Sequence, residues 1–176
     1  MLRYSAVLIL LFMTLINFSV NASSSLNHDN KLVLKNFIEV GKAKFSVFFF
    51  DIYQSRLLTE TGSFNFSQKP YLFEITYLKD ITSEDLIGRT VEQWQHLSIS
   101  ESQYQPFIKQ LASLWPDISA GDKLAIRVTN KKSKFYFNDV LLGDITNDTF
   151  GDMFVSIWLS PNTSQPELRH QLLGTR

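Results

Sequence analysis

Between residues 71 and 78 the chain alternates without a break: Tyr71, Phe73, Ile75 and Tyr77 against Leu72, Glu74, Thr76 and Leu78. A period of two predicts a strand with one richer face. From residue 82 the period lengthens. Leu86, Thr90, Trp94 and Leu97 form one helical stripe, widened by Ile87 and Val91, with Thr82 or Ser83 placed to cap it and Glu84 and Asp85 in its first turn. A second helix is predicted over Glu101 to Leu114, where Tyr104, Phe107, Ile108, Leu111 and Leu114 share a stripe and Pro116 follows as a stop.

Earlier in the chain the pattern is different. In "KFSVFFFDIY", residues 44–53, Phe48, Phe49 and Phe50 fill both faces of any strand. That predicts one long strand, Phe45 to Leu58, covered on both sides. Asp51 and Tyr53 then mark where it exits toward solvent. Lys31 to Ala43 reads as a bent strand or strand pair turning at Gly41, and residues 61–63 and 67–70 read as loops. After the helices, Leu124, Ile126 and Val128 alternate with Ala125, Arg127 and Thr129. Phe135 to Phe137 and Val140 to Ile145 follow, joined by a tight turn at Asn138-Asp139. Two more helices close the chain. Asn147 to Leu159 spaces Phe150, Met153, Phe154, Ile157 and Trp158 helically, and Gln165 to Leu173 ends before Gly174, a favoured helix stop. Strands, two helices, strands and two helices predict an α+β domain: an antiparallel sheet with helices packed on one face.

Composition adds a compartment. Residues 1–22 carry a basic start at Arg3, an apolar run over 6–18, and Val20-Asn21-Ala22 where a signal peptidase cuts. This predicts a cleaved signal peptide over 1–22, a flexible polar leader over 23–30 and a single domain over 31–176. The expected location is periplasmic or secreted, with no stable membrane anchor after cleavage. There is no cysteine, so an oxidising compartment goes unused and stability must come from the core. Aromatic residues make up 14% of the chain, 15 of them Phe, enough to supply it. Basic and acidic residues number 17 each, and losing Arg3 leaves one more acid than base. That balance disfavours a nucleic-acid partner.

Candidate chemistry is sparse. His28, His96 and His170 lie far apart and outside any metal-ligand spacing, so no metal is expected. Asp139, Asp144, Asp148 and Asp152 lack the register of a calcium loop. No nucleophile elbow and no glycine-rich phosphate loop occurs, so no cofactor is expected.

Four stretches change the picture: "VGKAKFSVFFFDIYQSRLL" (40–58), "YLKDITSEDLIGRTVEQW" (77–94), "KFYFNDVLLGDI" (134–145) and "FVSIWLSPNTSQPELRHQLLG" (154–174). Together, and in this order, they resemble the chalcone isomerase-like family, in particular its bacterial secreted branch. The resemblance implies an antiparallel sheet with helices on one face and a cleft between the layers. In plant relatives that cleft holds a chalcone or, in a non-catalytic branch, a fatty acid. Ring closure of a chalcone needs a cation for the phenolate and donors for the carbonyl that becomes an enolate. Carried onto this chain, the family's strand threonine falls on Ser46, the lysine before its helix near Tyr77, the helix tyrosine on Leu86 and the helix asparagine on Gln93. The family's arginine has no counterpart, since none occurs between Arg3 and Arg56. Lys42 or Lys44 would bring charge without the guanidinium's planar fork.

The resemblance therefore implies a cleft and weakens the reaction. Ser46, Tyr77 and Gln93 are the candidate polar groups of a ligand site. Phe48 and Phe50, with Phe73 and Tyr136, are candidates for its walls. No catalytic residue is assigned. Three readings stay open: a binder of a small apolar or amphipathic ligand such as a fatty acid or aromatic compound; an isomerase, an intramolecular lyase with rearranged groups; and a structural or interaction domain whose cleft is filled.

Overall fold

The computed structural model describes residues 30–175. The predicted signal peptide (1–22) and all but the last residue of the predicted leader lie outside the described residues. Six strands form one antiparallel sheet in chain order: β1 (Ile38–Val47), β2 (Phe50–Thr59), β3 (Tyr71–Tyr77), β4 (Lys123–Val128), β5 (Ser133–Phe137) and β6 (Val140–Ile145). Helices α1 (Ser83–His96) and α2 (Glu101–Leu114) are inserted between β3 and β4, and α3 (Phe150–Leu159) and α4 (Pro166–Leu172) follow β6. This is the α+β arrangement that the order of elements predicts.

Local chemistry accounts for the boundaries. The Thr82 hydroxyl accepts the Asp85 N–H at 3.1 Å and caps α1. Gln103 reaches back from α2 to accept the Ser100 N–H at 2.9 Å. Asn138 and Asp139 both take positive φ, +48° and +69°, as a two-residue hairpin between β5 and β6 requires.

Strand parity sorts the sheet into two faces. Tyr53, Ser55 and Leu57 of β2 pair with Tyr77, Ile75 and Phe73 of β3, and Ile75 and Phe73 pair in turn with Leu124 and Ile126 of β4. This face meets the helices. Its centre is aromatic. Phe154 lies 5.5 Å from Phe135, 5.7 Å from Trp115 and 5.5 Å from Trp158, ring centre to ring centre. Trp158 in turn lies 4.7 Å from Phe73.

The opposite face carries Lys42, Arg56, Glu74, Lys123 and Arg127. The segment before β1 straps across part of it, with Leu32, Leu34 and Phe37 covering Leu58, Leu72, Ala125 and Tyr136. The strap is fixed by the Leu32 N–H donating to the Asp139 carbonyl and the Leu141 N–H donating to the Asn30 carbonyl, each at 2.8 Å. Glu74 is buried among these charges. It accepts from Arg56 at 2.7 Å and lies 3.6 Å from the Lys123 ammonium.

Two sequence expectations change here. Residues 31–43 are the strap followed by the start of β1, and Gly41 is no turn. A Cβ at Gly41 would stand 2.2 Å from the Gln171 carbonyl oxygen, so glycine is there to let the end of α4 lie against the strand. The predicted single strand from Phe45 to Leu58 is a hairpin. Val47 ends β1, Phe48-Phe49 is the turn and Phe50 begins β2. The three phenylalanines are not covered on both sides: Phe48 and Phe49 are 91% and 98% exposed.

Candidate functional site

Buried polar groups and aromatic surfaces converge at one end of the seam between sheet and helices. Phe45 of β1, Tyr53 of β2 and Tyr77 of β3 lie side by side there. The Phe45 and Tyr53 rings stack at 5.2 Å, and the Tyr53 and Tyr77 rings meet edge to face at 6.2 Å. Cross-strand pairing places them: Phe45 opposes Tyr53, which opposes Tyr77, and paired residues share a face. From above, Trp158 of α3 donates its indole N–H to the Tyr53 hydroxyl oxygen at 2.9 Å. Leu86 of α1 is half-buried and packs on the same core.

Burial pushes the Tyr53 phenol up to about 12, against a smaller opposing pull from the Trp158 hydrogen bond. Tyr77 is raised further, by burial first and by its neighbour Tyr53 second. Both phenols therefore stay neutral across the physiological range. Trp158 occupies an acceptor site of the Tyr53 oxygen, which leaves the Tyr53 proton free to be donated. The arrangement is a pair of neutral hydroxyls at the end of an aromatic seam, suited to an acceptor atom on an otherwise apolar molecule.

Of the residues singled out from sequence, Tyr77 belongs to this site. Gln93 lies higher on α1, where its side-chain oxygen accepts the Ser164 hydroxyl at 2.7 Å and ties α1 to the α3–α4 connection. Ser46 is elsewhere. It lies exposed near the tip of the β1–β2 hairpin and donates to Asp51 at 2.6 Å, while Lys44 holds the other Asp51 oxygen at 2.9 Å. Phe48 and Phe50 project from the same tip and wall no cleft, and Tyr136 lies on the opposite face under the strap. Phe73 alone of the four aromatic candidates faces the helices. The expectation that Tyr53 marks an exit to solvent is overturned, because Tyr53 faces the helices. Its spacing from Ser55 and Leu57 carried that signal. The run of three Phe hid it, by suggesting that the strand continued through the turn.

The seam itself is filled by side chains. Open grooves lie elsewhere. One, of about 610 Å³, runs between α2 and the start of α3 and is lined by Ile99, Pro106, Phe107, Thr149 and Met153. Another, of about 550 Å³, includes Lys42, Gln54, Arg56, Glu74 and Thr76 on the far side of the sheet. Lys42, Lys44 and Arg56, the cations nearest in sequence to the missing arginine, all belong to that far side. Among the described residues no group of three or more His, Cys, Asp or Glu could hold a metal ion. No helix among them is long and apolar enough to cross a membrane.

An antiparallel sheet backed on one face by helices is the frame of a chalcone isomerase-like protein. Residues 19–174 match the model of that family, and the chain belongs to it. A bacterial relative, an uncharacterized protein of Haemophilus influenzae, is 27% identical over 135 residues, which span 77% of this chain and 67% of that protein. Among solved structures, a fatty-acid binding protein of Arabidopsis thaliana superposes with a TM-score of 0.64 over 82% of this chain and 89% of its own. Its 8% sequence identity makes that a likeness of fold.

Proposed function

We propose that this protein binds a small apolar or amphipathic ligand, a fatty acid or a flat aromatic compound, at the Tyr53–Tyr77 end of the seam. In this reading it works in the periplasm and does not close the chalcone ring. The observation that carries the proposal is the pair of buried, neutral phenols among aromatic rings, with the Tyr53 proton left free by Trp158. The half-buried Phe45 side chain, stacked on Tyr53, is the one a ligand would displace. Fatty-acid binding by the Arabidopsis protein of like fold is consistent with this reading, and the sequence pattern of residues 1–22 supports export. Against ring closure stand Leu86, which cannot donate a hydrogen bond, and the position of Lys42, Lys44 and Arg56 on the face away from the helices.

Titration with a fluorescent fatty acid tests the reading. Saturable binding is expected in the micromolar range. Tyr53→Phe should weaken it about fivefold, the equivalent of about 1 kcal/mol for one hydrogen bond, and Tyr77→Phe should act in the same direction. Binding that ignores both substitutions moves the ligand to the groove between α2 and α3. No saturable binding at all favours a structural domain whose seam does not open to a ligand. A hydroxychalcone assay should show no turnover above the uncatalysed rate, and clear turnover would favour the isomerase.

A further inference from the structure

The tip of the β1–β2 hairpin is not used by the seam. Phe48, Phe49 and Phe50 are 91%, 98% and 61% exposed, and Val47 beside them is 41% exposed. Every other phenylalanine among the described residues is buried or half-buried. At about 150–250 Å² for each aromatic side chain, the three rings present roughly 400–600 Å² of apolar surface to solvent. That is as large as the biggest patch on a typical monomer, and here it is gathered on a single turn.

The backbone makes the choice of residue more telling. Phe48 has φ +54°, and Phe49 does not share the positive sign. This is the pattern of a two-residue turn whose first central position favours glycine. A bulky side chain is disfavoured there, and burial does not compensate it. A residue held against its backbone preference at an exposed tip points to a function for the ring.

Charge begins directly behind the rings. The Lys79 ammonium lies 5.3 Å from the centre of the Phe50 ring. Lys44 and Ser46 hold Asp51 one step further back. The tip is thus apolar outermost and charged beneath, the reverse of an ordinary hairpin turn with polar residues at its apex. A second copy meeting it tip to tip would bury less than the ~800 Å² per partner of a standard interface. A lipid surface needs no complementary shape. Its layering also matches the hairpin: rings at the acyl boundary and an ammonium at the level of the phosphates.

We propose that the Phe48-Phe49-Phe50 tip inserts into the interface of a phospholipid bilayer, with Lys79 at the headgroups. The contact is a surface one and does not depend on whether the seam holds a ligand. The test uses the exported protein with phosphatidylcholine vesicles in a flotation gradient. Vesicle-bound protein is expected for the parent, and at least a tenfold lower partition for the combined Phe48→Ser, Phe49→Ser, Phe50→Ser variant, with unchanged thermal unfolding. Separately, Phe49→Trp should add an emission component that shifts to the blue on vesicles and is quenched by brominated phosphatidylcholine. Attachment through any other segment would leave that component unmoved. Adding phosphatidylglycerol should strengthen binding of the parent more than of Lys79→Glu. An emission from Phe49→Trp that ignores vesicles overturns the proposal. So does a dimer that the serine substitutions dissolve, which would make the tip a contact between copies.

Discussion

Two groups of phenylalanines in this molecule live under opposite conditions. Phe135, Phe150 and Phe154 face the helices and one another, with Phe150 and Phe154 stacked at 6.0 Å and each no more than 4% exposed. Phe48 and Phe49 stand almost wholly in solvent at a hairpin tip, with Phe50 beside them 61% exposed. The same side chain stabilises the fold in the first group and contributes little to it in the second. The difference lies in partners. A ring in the core is met by helix and sheet together, and a ring at a turn has no second layer to meet it.

The largest expected effect sets one group against the other. Phe154→Ala should cost about 3–5 kcal/mol, the usual range for truncating a buried aromatic. Phe49→Ala should stay within about 0.5 kcal/mol. Denaturant unfolding of both variants measures the contrast directly, and equal losses would break it.

Alkaline pH probes the aromatic seam in another way. Tyr53 and Tyr77 titrate higher in the folded chain than the ordinary value of about 10. Tyr71, buried and bonded to Asp152, is raised as well. A group whose pKa is raised by folding keeps its stabilising share below the unfolded value and loses it as pH rises through the folded one. Stability should therefore hold up to about pH 10 and fall between pH 10 and 12, with Tyr53 contributing on the order of 2 kcal/mol. Chemical denaturation over that range, repeated on Tyr53→Phe, should show a shallower fall in the variant. The tip carries no titratable ring and should take no part.

The smallest effect has the opposite sign. Phe48→Gly removes a ring that buries almost nothing and relieves a positive φ. Stability should be unchanged or should rise by up to about 1 kcal/mol. A loss of more than about 1 kcal/mol would mean that Phe48 has a packing role its exposure hides.

Most elements were legible because their periods were clean. The alternation from Tyr71 to Tyr77, the stripe through Thr90 and Trp94, and the turn at Asn138-Asp139 each follow from local chemistry that tertiary contacts reinforce. The hairpin was not legible. Its turn lacks the Gly, Asn or Asp that marks one, and an unbroken apolar run reads as a buried strand. The candidate site was half legible. Tyr77, also chosen by resemblance, falls in it because its place on β3 opposite Tyr53 turns it toward the helices. Ser46, chosen by resemblance, lies beyond an irregularity in the β1–β2 register between Phe45 and Ser46, and a shift of one residue is enough to change which way a side chain points.

By itself, then, the sequence determined the order and type of the elements from β3 onward, the α+β class, the family and the supply of aromatic residues for a core. The elements, the class and the core supply follow from periodicity and composition, which act over a few neighbouring residues; the family follows from the resemblance of four stretches and the family match over residues 19–174. Tertiary structure alone decided which sheet face meets the helices, that Tyr53 joins Tyr77 under Trp158, that Arg56 turns away to Glu74, and that three phenylalanines are left in water. Each of those depends on residues far apart in the chain, such as Tyr53 and Trp158, whose meeting no local pattern encodes.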